Sequence, residues 1–164
     1  MGVIFMCGPA GSGKSFVARQ YEELGCVRLS FDTEAWAQGY REMPLAQNVH
    51  QQIERLLRRR LIELVRAGHD VVLDFSFWSQ EMRDEYRGIL RPLGVTPTVV
   101  YLRTSRAVAL ERVRSRSQSH GDDFVLLDSV AQRYFDNFEV PTALEGPLVT
   151  LDGESREPVA LPIF

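Results

Sequence analysis

An apolar run, Val3-Ile4-Phe5-Met6-Cys7, stops at Gly8. From there the chain reads Gly8-Pro9-Ala10-Gly11-Ser12-Gly13-Lys14-Ser15. Continuous apolar residues suit a central parallel strand covered on both faces. Glycines reach positive φ without steric cost, so the loop after the strand can curl its backbone N–H groups around an anion. The spacing predicts a helix over 13–24, ending near Gly25, and its positive N-terminus faces the same place. Buried strand, glycine turn and helix start therefore converge on one anion-binding loop.

The eight residues from Gly8 match G-x-x-x-x-G-K-[ST] in full. That spacing assigns Gly8, Gly11, Ser12 and Gly13 to the phosphate cradle, Lys14 to the β- and γ-phosphates, and the Ser15 hydroxyl to Mg²⁺. The rival, a dinucleotide loop of form G-x-G-x-x-G, needs glycine where Ala10 or Phe16 stands. Composition sharpens the lysine. Of 19 Lys and Arg residues, Lys14 is the single lysine. Lysine is a compact point charge and arginine a planar fork, so the exception falls where a flexible ammonium has to reach between two phosphates. The motif predicts a nucleoside triphosphate site, ATP or GTP, with Mg²⁺.

The remaining arithmetic excludes other classes. A length of 164 residues, 45% hydrophobic and 25% charged, fits one globular domain with a real core. A net charge of -3 argues against a general nucleic-acid or anionic-membrane binder. Two cysteines, Cys7 and Cys26, are too few for a disulfide scaffold and predict reduced thiols in a cytoplasmic protein. No apolar run is long enough for a signal peptide or a membrane span.

Further along, strands are predicted over 27–31, 70–75, 98–102 and 148–151. Between them lie helical patterns over 44–67, 79–93 (Ser79 as cap), 105–116 and 126–138, with a short helix opening at Asp32-Thr33-Glu34. The polar stretch 117–123 reads as a mobile loop. Strict alternation without repeats implies one α/β domain over 1–153, with 154–164 as a tail.

With these motifs in place, the chain resembles the small P-loop kinases that group chloramphenicol phosphotransferase-like, zeta-toxin-like and polynucleotide-kinase-like proteins, also described as AAA-type ATP-binding proteins. The resemblance implies a P-loop NTPase three-layer sandwich. Its five-stranded parallel sheet would run in order 2-3-1-4-5, with helices on both faces and the acceptor over the carboxyl ends of the strands.

Candidate residues follow from that frame. Asp32 lies just past the second strand, where ligands of open α/β sheets bind. In relatives that phosphorylate a hydroxyl, a carboxylate here takes the acceptor's proton; the competing reading is a helix cap. Ser30, two residues back on the same pleat face, is a candidate for orienting substrate. Asp74 closes Val71-Val72-Leu73 in the manner of a carboxylate that holds Mg²⁺. Arg112 and Arg116, one helical turn apart before the polar loop, are candidates to clamp the transferring phosphate; Arg114 points elsewhere and reads as solvated. Arg60 falls inside the apolar stripe of its helix and either snorkels at the edge or reaches substrate. Arg83 is a weaker candidate of that kind. Phe77 and Trp78, beside Phe75, are candidates to line an acceptor pocket, with core packing as the alternative. Tyr134, Phe135 and Phe138 read as core, and the histidines show no metal spacing.

The leading expectation is a Mg²⁺-dependent phosphotransferase acting on a hydroxylated small molecule, drug-like or nucleoside-like as in the antibiotic-inactivating branch, and monomeric or homodimeric. The alternatives are a 5′-hydroxyl polynucleotide kinase, whose pattern has arginine where Ala35 stands, and a nucleotide-binding switch or toxin-like module that transfers nothing.

Overall fold

The computed structural model describes residues 1–118, 124 and 126–155. Five strands, β1 (Val3–Cys7), β2 (Val27–Ser30), β3 (Val71–Asp74), β4 (Thr98–Arg103) and β5 (Leu148–Asp152), form one sheet in the order β2-β3-β1-β4-β5. Every neighbouring pair is parallel. The predicted architecture is therefore the observed one.

The helices are α1 (Lys14–Glu23), α2 (Phe31–Ala37), α3 (Gln47–Arg66), α4 (Gln80–Leu90), α5 (Arg106–Gln118) and α6 (Asp128–Asp136). Alternation along β1 divides them between two faces. Val3, Phe5 and Cys7 pack with Ile53, Leu57 and Leu61 of α3 and with Tyr86 and Leu90 of α4. Ile4 and Met6 pack with Val17, Ala18 and Tyr21 of α1. A strand apolar at every position is thus buried on both sides, as a central parallel strand has to be.

Boundaries moved where local chemistry overrode periodicity. Helix α3 starts at Gln47 rather than residue 44, after a cis Met43–Pro44 bond. Helix α5 runs on to Gln118, so the start of the expected polar loop is helical. Its residues 119–123, like 156–164 of the tail, lie outside the described residues. Tyr134 is exposed, correcting its assignment to the core, whereas Phe138 stacks on Tyr101 at 6.0 Å between centroids. The helical pattern predicted over 79–93 ends as a 3₁₀ turn, Arg91–Leu93, and a second such turn, Ala143–Glu145, was not anticipated.

Candidate active site

The loop between β1 and α1 turns at Gly11 (φ +81°) and Gly13 (φ +95°), a backbone region that side chains disfavour. A Cβ on Gly11 would strike the Ala109 carbonyl of α5, so this helix lies directly against the loop. A Cβ on Gly8 would meet Ser12 Oγ at 2.5 Å, so the glycine makes room for that side chain. Ser12 Oγ is itself buried and has no hydrogen-bond partner among the described residues. An orphaned buried hydroxyl costs roughly 1–3 kcal/mol. That is a donor in want of an acceptor, at the floor of a glycine cradle, and the arrangement fits a polyphosphate.

Lys14 Nζ donates to the Pro9 carbonyl at 2.9 Å, folded over its own loop. Burial pushes its pKa below the usual lysine value, while the carboxylates of Asp74 and Asp32 pull it back up. One ammonium is thus in electrostatic reach of two acidic groups from the ends of different strands. The parallel register explains why. Ser30 pairs with Asp74, and Val72 with Ile4, so Asp74 emerges on the α1 face of the sheet, the side of Lys14.

Asp74 has a partner that sequence reasoning missed. Arg28, in the middle of β2, donates to Asp74 Oδ2 through Nε (3.1 Å) and Nη2 (2.9 Å), and Glu22 of α1 lies 3.7 Å from Arg28 Nη1. Both Arg28 bonds fall on Oδ2. Two-residue alternation along β2 puts Arg28 on the face of Ser30 and hence of Asp74, a signal present in the sequence but readable only with the register.

Ser30 caps α2: its Oγ accepts from the Thr33 N–H at 3.3 Å. The cap is therefore Ser30 and not Asp32, which leaves Asp32 as an exposed carboxylate in the first turn of the helix. Arg60 is exposed at the edge of α3, with Nη1 3.8 Å from Glu34, and lines a small cleft of about 100 Å³ with Leu57, Ser30 and Arg28.

Two expectations are corrected. Arg83 is 0% exposed and does not face a substrate. Its Nε and Nη2 bind the Glu145 carboxylate at 2.7 and 2.9 Å, and Nη1 donates to the Phe77 and Glu139 carbonyls at 2.9 Å each. Phe77 is core as well, stacked on Phe5 with centroids 4.3 Å apart. Its φ of +46° is held by Arg83 and by the Cys7 Sγ–H, which donates to the same carbonyl at 3.5 Å. Burial pushes the Cys7 thiol up to about 11, so it remains a donor at neutral pH. Of the aromatic cluster only Trp78 stays half exposed.

Arg112 lies beside the glycine loop but ties it to the end of β5. Its Nη1 donates to the Gly11 and Gly153 carbonyls at 3.3 and 2.5 Å, and its Nη2 to the Glu154 carbonyl at 3.0 Å. A Cβ on Gly153 would collide with Thr104 Oγ1 and with the Ser12 carbonyl, which Thr104 Oγ1 also contacts as donor at 3.2 Å. Thr104 and Gly153, neither anticipated, thus brace the loop from behind. Arg116 approaches closely enough that its charge depresses Lys14. It also lines a cleft of about 540 Å³ with Phe16, Gly13, Arg112, Asp152 and Ser155. Arg114 pairs with Asp128 on the surface, as its face of α5 predicted.

Solved structures share this frame. A gluconokinase from Sinorhizobium meliloti 1021 superposes with a TM-score of 0.67 at 23% identity, covering 94% of this chain and 83% of its own. A sugar kinase from Janibacter sp. HTCC2649 gives 0.66 at 20%, covering 96% and 87%. A chain of the Pnkp1/Rnl/Hen1 RNA repair complex gives 0.73 at 17%, covering 83% of this chain but 43% of that one. No curated protein sequence gives a significant match. The family model described as "AAA domain" matches residues 3–141. With that match, and with the fold that P-loop kinases share, the chain belongs to the AAA domain family.

Proposed function

We propose that the protein is a phosphotransferase that moves the γ-phosphoryl group of a nucleoside triphosphate to the hydroxyl of a small molecule. The observation that supports it best is the sheet register: Asp74 at the end of β3 pairs with Ser30, two residues before Asp32, on the face of the glycine loop's helix, and both carboxylates act on the Lys14 ammonium. A nucleotide switch needs Lys14 and Asp74; Asp32 is surplus unless a proton has to be accepted.

In this reading the loop amides, Ser12 and Lys14 bind the phosphates, and the 540 Å³ cleft beside Phe16 takes the nucleoside. Ser15 and Asp74 are hard oxygen donors suited to Mg²⁺, with Arg28 fixing the carboxylate through Oδ2. The metal supplies charge neutralisation on the phosphate oxygens. The acceptor hydroxyl forms the new O–P bond while the bond from phosphorus to the bridging oxygen breaks, and Asp32 takes the hydroxyl proton. Arg116 offsets charge on the phosphoryl group; Arg112 keeps the loop in place.

A drug-like acceptor loses support, because Phe75 and Phe77 are committed to the core. A polynucleotide 5′-hydroxyl is the second reading, favoured by the resemblance to the RNA repair complex and disfavoured by a net charge of -3. Asp32→Asn tests the proposal. ATP affinity is retained by calorimetry, while transfer, read as a mass shift across hydroxylated compounds, drops by roughly 10²–10⁴-fold. Unchanged transfer refutes the role of Asp32.

A further inference from the structure

Three arginines packed beside the core are matched to carboxylates: Arg28 to Asp74, Arg58 to Glu54 and Glu85, and Arg83 to Glu145. Arg41 is not. It follows α2, and its guanidinium carbon sits 3.9 Å from the centroid of the Trp36 ring. Nη1 donates to both the Trp36 and the Tyr40 carbonyls at 2.8 Å. A guanidinium carries five N–H donors in a planar fork. Those two bonds use both protons of Nη1 and leave the Nε–Nη2 edge without a partner among the described residues. That edge is one of the two that grip a carboxylate or phosphate with parallel hydrogen bonds. The fork is therefore oriented before any ligand arrives, which removes part of the side-chain ordering cost of binding.

Its position is as informative as its geometry. Trp36 stands four residues after Asp32 on α2, on the same face, where Cβ atoms are about 5–6 Å apart. The Trp36 ring also packs edge-on with Phe124, centroids 5.8 Å apart at 80°. The other acidic residue of α2, Glu34, is engaged by Gln38 at 2.9 Å and lies 3.8 Å from Arg60 Nη1. Stacked on Trp36, the Arg41 guanidinium is thereby tied to the face of α2 that carries Asp32.

The geometry points to Arg41 as the anchor for an anionic group of the acceptor, and so to an acceptor that is a hydroxylated carboxylate or phosphate rather than a neutral sugar or drug. This rests on Asp32 marking the acceptor site. The test uses the full chain with ATP and Mg²⁺ and four probes: D-gluconate, glucose 6-phosphate, sorbitol, and a 5′-hydroxyl oligonucleotide. Binding is read by calorimetry and transfer by mass shift. At least one anionic small molecule binds roughly tenfold tighter than sorbitol, and Arg41→Gln abolishes that preference. Arg41→Lys fails to restore it, because a point charge has no fork. An unchanged ATP affinity in each variant reports an intact fold. The two anionic probes separate carboxylate from phosphate. Equal binding of sorbitol, no binding of either small anion, a preference that survives Arg41→Gln, or binding of the oligonucleotide alone each overturns the inference. Loss of transfer in Asp32→Asn without any anion preference refutes Arg41 alone; transfer that survives Asp32→Asn refutes the base.

Discussion

At the scale of single residues, Lys14 shows why charge alone does not define a site. Its ammonium lies in a space shaped by glycines, close enough to the Pro9 carbonyl for a 2.9 Å hydrogen bond, and burial holds its pKa down. A guanidinium carries the same charge but is wider and planar. Lys14→Arg is therefore expected to weaken ATP binding by roughly tenfold or more despite the retained charge, as measured by calorimetry. Equal affinity would mean that the loop has no steric requirement for lysine. Arg83 teaches the opposite lesson. An arginine on an amphipathic helix looks like a surface or substrate group, yet this one is fully buried because Glu145, 62 residues away, supplies its counter-charge.

Elements add information that residues lack. Helix α4 begins where Ser79 Oγ accepts the Met82 N–H at 3.1 Å, as its sequence predicted. Ser79→Ala removes that cap and is expected to cost about 1 kcal/mol in denaturant unfolding, with Asp at the same position restoring most of it. A loss well below half that value would show that tertiary packing, not capping, starts the helix. Parallel register is the stronger organiser. By pairing Ser30 with Asp74 it turns an arginine in the middle of an edge strand into the support of a buried carboxylate. Periodicity located the five strands and the longer helices to within a few residues, because each needs only its own side chains to bury. It could not pair Arg28 with Asp74, since strand order is a property of the sheet.

For the whole molecule, the Arg83–Glu145 pair ties α4 to the turn before β5 and, through the Phe77 carbonyl, to the segment after β3. Removing one member of a buried pair leaves an uncompensated charge, so Arg83→Ala is expected to destabilise by about 3–5 kcal/mol. The Arg83 hydrogen bonds hold the Glu145 carboxyl below its ordinary range. A depressed carboxylate stabilises the fold above its unfolded value and loses that contribution as pH falls through the folded one. Wild-type stability should accordingly decline below about pH 4, and Glu145→Gln should show a flatter acid limb in urea titrations. Parallel acid limbs would exclude this pair as a source.

The sequence by itself determined the glycine loop, its strand and helix, the order of alternating elements and the acidic residues at two strand ends. All of these are written in local spacing, where a residue's neighbours decide its conformation. Only the tertiary structure decided which polar groups meet. It moved Arg83 and Phe77 from a presumed pocket into the core and gave the cap of α2 to Ser30. It also made Arg112 a brace and matched Arg28 to Asp74. The physical reason is that a buried charge is tolerated only beside its partner, and that partner comes from a distant part of the chain.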